Sequence, residues 1–190
     1  MDCAGIVLTG GTSRRLGFDK ATVRVGSETV ATRAARVLGA VCTPLIEVGP
    51  GHTGLPWVRE DPPGSGPLAA LVAGARALKC ERVLLLACDL VRVEPPVLRV
   101  VAGWDGAASA VPVVDGRRQL VCARYGADAL AIAADVLATG ERSLRALVAR
   151  LDIDEIDASH WGAVADADAF ADLDTPADLA RLELSRPDFP

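Results

Sequence analysis

Strand-like apolar runs alternate with amphipathic helical patterns along most of this 190-residue chain, which predicts an open α/β sheet with helices on both faces. Val83-Leu84-Leu85-Leu86-Ala87 is apolar at every position, as a central strand covered on both sides by helices must be. Three polar stretches follow apolar segments: residues 9–20, residues 61–68 and Asp89. In open α/β sheets that is where ligands bind, outside the carboxyl ends of the strands.

The elements follow in order. Strand runs are Ala4–Leu8, Pro44–Val48, Val83–Ala87 and Ala107–Val113. Between them, Thr29–Leu38 carries Val30, Ala34, Val37 and Leu38 at helical spacing. Leu68–Leu78 does the same with Leu68, Leu71, Val72, Ala75 and Leu78, and Pro67 suits its first turn. Pro95 and Pro96 open a third helix, Asp128–Leu137 and Leu144–Leu151 supply two more, and Thr175-Pro176 starts a last one ending near Leu184. No repeat, low-complexity tract or linker interrupts the pattern. One domain is therefore expected over residues 1–184, with a loose tail at 185–190.

Composition excludes several classes. The net charge of −5 argues against a nucleic-acid-binding face, so the local basic loop points to a small anionic ligand. The five cysteines, Cys3, Cys42, Cys80, Cys88 and Cys122, are odd in number and show no C-x-x-C pair. Buried, reduced thiols are expected rather than a zinc site or a disulfide framework. No apolar run is long enough to span a bilayer and no leader pattern opens the chain, so the expected compartment is the cytoplasm.

The chemistry concentrates in residues 8–20, Leu-Thr-Gly-Gly-Thr-Ser-Arg-Arg-Leu-Gly-Phe-Asp-Lys. Gly10 and Gly11 lack a Cβ and let the backbone turn and approach a ligand closely. Thr12 and Ser13 add hydroxyls, while Arg14, Arg15 and Lys20 add three cations. Exposed amides beside clustered positive charge suit a polyanion such as a triphosphate. A tight strand-to-helix connection with solvated arginines is the other reading of the same residues. Asp89, directly after the apolar strand segment and Cys88, is placed to meet a divalent cation and a phosphate, or else to cap the next helix. Asp61 precedes a proline-rich loop, Pro62 to Pro67, which is either a rigid frame for base and ribose contacts or a plain surface turn. Asp172 and Asp174 are candidates to cap the final helix, with a metal or substrate contact as the alternative. His52 and His160 stand apart, without metal-ligand spacing, as solvated loop residues. The 8–20 loop is not G-x-G-x-x-G, and neither a Walker A sequence nor G-x-S-x-G occurs.

Taken together, these stretches resemble the molybdenum cofactor guanylyltransferases. The family's opening signature, L-x-G-G-x-S-x-R-M-G-x-D-K, matches Leu8 to Lys20 with only Leu16 in place of Met. Its G-P-L-A segment matches Gly66 to Ala69, its C-D motif Cys88-Asp89, and its closing N-T-P-x-x-L matches Asp174 to Leu179. The resemblance runs from about residue 4 to 184. It implies a three-layer α/β/α, Rossmann-like nucleotidyltransferase fold with a mostly parallel central sheet. It also implies GTP and Mg²⁺ as ligands, and transfer of GMP to molybdopterin with release of pyrophosphate. On that model Leu8, Thr9, Gly10 and Gly11 contact the nucleotide, and Asp61 contacts the guanosine. Lys20 and Arg15 hold phosphates, and Asp89 binds Mg²⁺. Molybdoenzymes or their chaperones are the implied protein partners.

The departures define the alternatives. Leu90 and Val91 follow Asp89 where the family often has Pro, and a loop position that is often Asn aligns with Glu47. Asp172 and Asp174 replace the Asn residues of the closing motif, and related cytidylyltransferases carry acids there. Gly10-Gly11 and Gly66-Pro67-Leu68 favour guanine. A CTP-using or other small-phosphate transferase of the same fold is one alternative, and a weakened nucleotide- or pterin-binding accessory protein is the other.

Overall fold

The computed structural model describes residues 3–11, 16–106 and 109–184. Strand β1 (Ala4–Leu8) leads through a 3₁₀ turn at Lys20–Thr22 to a small antiparallel hairpin, β2 (Arg24–Val25) and β3 (Glu28–Thr29). Helix α1 (Val30–Gly39) follows, then β4 (Leu45–Val48), β5 (Trp57–Val58), α2 (Pro67–Leu78) and β6 (Val83–Ala87). The second half adds α3 (Pro95–Ala102), β7 (Ser109–Val114), β8 (Arg117–Arg118), β9 (Cys122–Tyr125), α4 (Ala127–Ala138) and α5 (Leu144–Val148). It closes with β10 (Ile153–Ile156), α6 (Ala158–Trp161) and α7 (Pro176–Arg181).

The main sheet runs in the order β10-β7-β9-β6-β1-β4-β5, with β8 paired to β7. Strand β1 is parallel to β4 and β6, β4 to β5, and β7 to β10. Among the described residues of this sheet, only β9, wedged between β6 and β7, and the short β8 run antiparallel to their neighbours. Helices cover both faces, which is the three-layer, mostly parallel architecture expected from the sequence.

Alternation along the central strands explains why. Ile6 stands in register with Leu85 and Ile46, and this row joins Leu68 and Leu71 of α2 and Val136 of α4 in one core. Val7, Leu84 and Leu86 point the other way, into a second core with Val37 and Leu38 of α1 and Leu98 of α3. Both faces of β6 are thus buried, so a polar residue inside it would have no water to meet.

Local signals set the helix ends. The Thr29 hydroxyl accepts from Thr32 N at 3.1 Å to start α1, and Pro67 and Pro95 occupy first turns where no N–H is required. Two helices are shorter than their apolar patterns suggest. Helix α5 stops at Val148 rather than Leu151, and α7 at Arg181 rather than near Leu184.

Strand β9 is the element whose pattern hides it. Arg124 interrupts its apolar run, yet it is almost wholly buried, because its guanidinium donates to the carbonyls of Ala102 and Trp104 where α3 ends. From within the sheet this charge serves a helix C-terminus. Strand β10 is an edge strand whose Asp154 and Glu155 dilute its apolar content. The expected strand at Ala107–Val113 is found from Ser109, its first two residues lying outside the described ones, as does the 185–190 tail. Four of the cysteines are buried, Cys80 is half-buried, and all five are free thiols.

Leu85 has no exposed surface and sits between the helices of one face and the opposite core. Leu85→Ala is expected to cost about 2–5 kcal/mol, read as a lower urea midpoint with unchanged slope. Val164→Ala, at an exposed position, should stay within about 0.5 kcal/mol of the parent.

Candidate functional site

The carboxyl ends of β1, β4 and β6 open onto a cleft of about 620 Å³. Backbone bonds splay the chain there. Thr9 N donates to Val48 O at 3.1 Å and Cys88 N to Leu8 O at 3.0 Å, so the segment leaving β1 is stitched to both neighbours before it turns. Gly49 must be glycine, because a Cβ there would lie 2.0 Å from the Thr9 hydroxyl.

Beneath this edge lies Glu47, which has no exposed surface. Its carboxylate accepts from the backbone N–H groups of Gly51, His52 and Thr53, each at 2.8 Å, from the Thr53 hydroxyl at 2.7 Å, and from the Thr9 hydroxyl. Burial pushes the Glu47 carboxyl upward, but the bonds from Thr9, His52 and Thr53 outweigh it and hold it down at about 2. Aligned with a loop Asn in the family, Glu47 instead sits in strand β4 and organises the loop that follows.

The same loop reaches the lysine. His52 Nε2 lies 2.8 Å from Asp19 Oδ2, and Asp19 Oδ1 accepts from Ala21 N at 3.0 Å to cap the 3₁₀ turn that begins at Lys20. His52 is therefore a partner of the site segment, not the solvated loop residue expected. His160 is exposed, as expected, but lies in α6 rather than a loop, and its ring packs edge-on against Trp104.

Lys20 extends its ammonium to Asp89 Oδ2 at 2.5 Å and to Asp174 Oδ1 at 3.2 Å. Burial alone would lower the affinity of Lys20 for its proton, but the two carboxylates reverse that and hold it firmly protonated. Asp174 arrives because Leu173 N donates to Asp89 O at 3.1 Å, clamping the segment before α7 to the end of β6. Neither Asp172 nor Asp174 caps α7. A capping box of Thr175 and Asp178 does so, with Asp178 accepting from the N–H groups of Asp174 and Thr175. The Asp174 carboxylate is thereby left for Lys20.

On the far wall, Gly66 (φ +92°) precedes α2. A Cβ there would stand 2.9 Å from Arg142 O, the same carbonyl that takes Leu68 N. No side chain caps α2, and Gly66 and Pro67 line the cleft, so the positive end of a helix dipole borders it.

Leu8, Gly10, Gly11, Lys20 and Asp89 are brought together as cleft lining. Thr9 sits just behind, its hydroxyl committed to Glu47. Asp61 is exposed and not part of the lining; Glu60 lines the cleft instead, its Oε1 accepting from Gly64 N at 2.9 Å. Arg15, with Thr12, Ser13 and Arg14, lies outside the described residues. Sequence reasoning missed Glu60 because two adjacent acids, Glu60 and Asp61, precede the same proline loop, and only the backbone direction separates them.

The chemistry of the arrangement is restricted. Cys88 lines the cleft, but burial, with the charge of Asp89, raises its pKa and keeps it a thiol rather than a nucleophile. Among the described residues no three His, Cys, Asp or Glu side chains cluster as a metal cage. The carboxylate pair is different. Asp89 Oδ1 is buried without a hydrogen-bond partner, an uncompensated acceptor of the kind a cation satisfies. One or two carboxylates, completed by phosphate oxygens and water, is the usual donor set for Mg²⁺.

The sheet order and this edge site define an α/β nucleotidyltransferase fold. The chain is similar over 95% of its length, with a TM-score of 0.81 and 20% identity, to the crystal structure of molybdopterin-guanine dinucleotide biosynthesis protein A from Archaeoglobus fulgidus, 96% of which is covered. It belongs to the MobA-like NTP transferase domain family, whose model matches residues 5–156. It is 31% identical over 196 residues to a probable molybdenum cofactor guanylyltransferase of Chloroflexus aggregans, covering 96% of this chain and 94% of that one. It is 36% identical over 159 residues to another so named from Mycobacterium bovis, covering 76% and 78%. No helix among the described residues is long and apolar enough to cross a membrane.

Glu47 makes stability acid-sensitive. Its folded pKa, about 2, lies below the roughly 4.3 of an unfolded glutamate. Its contribution is therefore full above the unfolded value and is lost as pH falls through the folded one; it amounts to roughly 3 kcal/mol. Melting temperatures measured from pH 6 to pH 2.5 should fall more steeply for the parent than for Glu47→Gln, which starts lower and loses less.

Proposed function

We propose that the chain transfers GMP from GTP to the terminal phosphate of molybdopterin and releases pyrophosphate. The observation that carries this reading is the lysine held between two carboxylates, one with an unsatisfied oxygen, at the mouth of a glycine-lined cleft. The names borne by the relatives in Chloroflexus aggregans and Mycobacterium bovis support the same substrates.

On this reading the backbone at Leu8, Thr9, Gly10 and Gly11 receives the nucleotide, and Lys20, with Arg15, holds its phosphates. Guanine offers two adjacent donors, N1–H and N2–H, which one carboxylate accepts together. Glu60 is the cleft carboxylate suited to that edge, with Asp61 beside it at the exposed rim. Asp89 and Asp174 would hold Mg²⁺, which would supply neutralisation of phosphate charge.

A phosphate oxygen of molybdopterin attacks the α-phosphorus. The new P–O bond forms as the bond from the α-phosphorus to the bridging oxygen breaks, and pyrophosphate leaves with the electron pair. The attacking phosphate is anionic near neutral pH, so no side chain has to remove a proton. What the protein supplies is position and fixed positive charge, the terms that dominate such transfers. Lys20 is suited to this because its carboxylate partners keep it charged while it is partly buried.

Thermal-shift titration with GTP, CTP and ATP in the presence of Mg²⁺ should show selective stabilisation by GTP, about 2.7 kcal/mol at a hundredfold excess over Kd. Greater stabilisation by CTP overturns the guanine assignment. In a pyrophosphate-release assay with molybdopterin, Asp89→Ala and Lys20→Ala should each lower kcat by roughly 10²–10³-fold. Glu60→Gln should erode the preference for GTP over ATP, whereas Asp61→Asn should change it far less.

A further inference from the structure

Two cysteines meet at the edge of the sheet opposite the cleft. Strand β1 runs parallel to β4 with Gly5 against Leu45, and Gly5 N donates to Pro44 O at 2.9 Å. The pairing continues toward the amino-terminal end, where Thr43 N donates to Cys3 O at 3.1 Å, so Cys42 comes to stand beside Cys3. By the alternation of a strand, Cys3 faces the same way as Val7, into the core covered by α1 and α3. Cys42 lies in the turn after α1, its N–H bonded to Leu38 O at 2.9 Å, and enters the same core. Each is 3% exposed, and their thiols hydrogen-bond to each other.

The pair is unequal. Arg124 shares that face of the sheet, being in register with Leu84 of β6 as Leu84 is with Gly5 of β1. The bond from the Cys42 thiol lowers the pKa of Cys3 against the effect of burial, and the charges of Arg124 and Arg82 lower it further. Cys42 is pushed the opposite way, because it donates that bond and is buried. Cys3 therefore gives up its proton first, and Cys42 keeps its own. When protonated, Cys3 Sγ donates to Ala4 O at 3.6 Å, a weak bond that leaves this order intact. The other three cysteines are raised by burial, Cys122 to about 12 and Cys88 beyond it, with Cys80 raised against the other core.

We propose that Cys3 and Cys42 form an oxidative modification site, at which hydrogen peroxide converts the two thiols into a disulfide. The Cys3 thiolate attacks one peroxide oxygen, the O–O bond breaks, and the departing hydroxide takes up a proton and leaves as water. The Cys42 sulfur then attacks the sulfenic acid formed on Cys3. The S–S bond forms, and the hydroxyl leaves with the Cys42 proton as a second water. Two thiols and one peroxide thus give one disulfide and two waters. The burial of both residues restricts the oxidant to a molecule of this size. The cross-link ties the start of central strand β1 to the turn after α1 and closes a long loop, which restrains the unfolded chain. The cleft lies at the other ends of these strands, so the proposal is independent of the transfer reading.

The test uses the full chain, reduced and then treated with hydrogen peroxide under native conditions. It should lose two of its five thiols to a quantitative thiol reagent, and two hydrogens of intact mass. Peptide mapping should place the bond between Cys3 and Cys42, and dithiothreitol should restore both thiols. The melting temperature of the oxidised form should rise by roughly 5–15 °C. Cys42→Ala should stop at a Cys3 sulfenic acid that dimedone captures, whereas Cys3→Ala should leave Cys42 unreacted. Five thiols remaining after treatment, a bond that includes Cys80, or a sulfinic acid at Cys3 without any disulfide overturns the proposal. Mapping on the parent chain decides the matter even where a variant does not fold.

Discussion

Strands β1 and β6 lie between two apolar cores, and that double burial restricts where charge can stand. Every position of β6 faces one core or the other, so the first carboxylate after the strand, Asp89, appears only past its end. The same holds for β1, whose first backbone polar groups free of the sheet ladder come at the glycines beyond Leu8. A parallel sheet aligns those ends along one edge, so residues far apart in sequence emerge together. Lys20 and Asp89 meet for that reason, and the backbone bond from Leu173 N to Asp89 O brings Asp174 to them, although 154 positions separate Lys20 from Asp174.

Holding that edge in shape requires polar groups that never touch the cleft. Glu47 is buried in the adjoining strand and gathers the N–H groups of the loop behind it, with the hydroxyl of Thr9. Through His52 and Asp19 the same loop braces the turn that carries Lys20. The capping box of α7 has a comparable effect at the other end. By satisfying the helix itself, Asp178 leaves Asp174 available to the lysine. Sites built this way depend on supporting hydrogen bonds as much as on the groups that line them. The cleft pairs its lysine with carboxylates, an arrangement suited to a polyphosphate accompanied by a cation.

Much of this was legible in the residues. The apolar run at 83–87, the helical spacings and the prolines at helix starts determined a covered α/β sheet, because burial pattern and period are local properties. The glycine loop, Lys20 and Asp89 were legible as chemistry for the same reason, since their types and spacing suffice to mark an anion site after a strand. Strand β9 was not, because whether Arg124 is exposed or buried depends on the carbonyls that α3 brings to it. Nor could the sequence distinguish Glu60 from Asp61 at the cleft, or decide that Asp174 serves Lys20 while Asp178 caps the helix. Those choices rest on directions and distances between segments remote in the chain, and only the packed sheet supplies them.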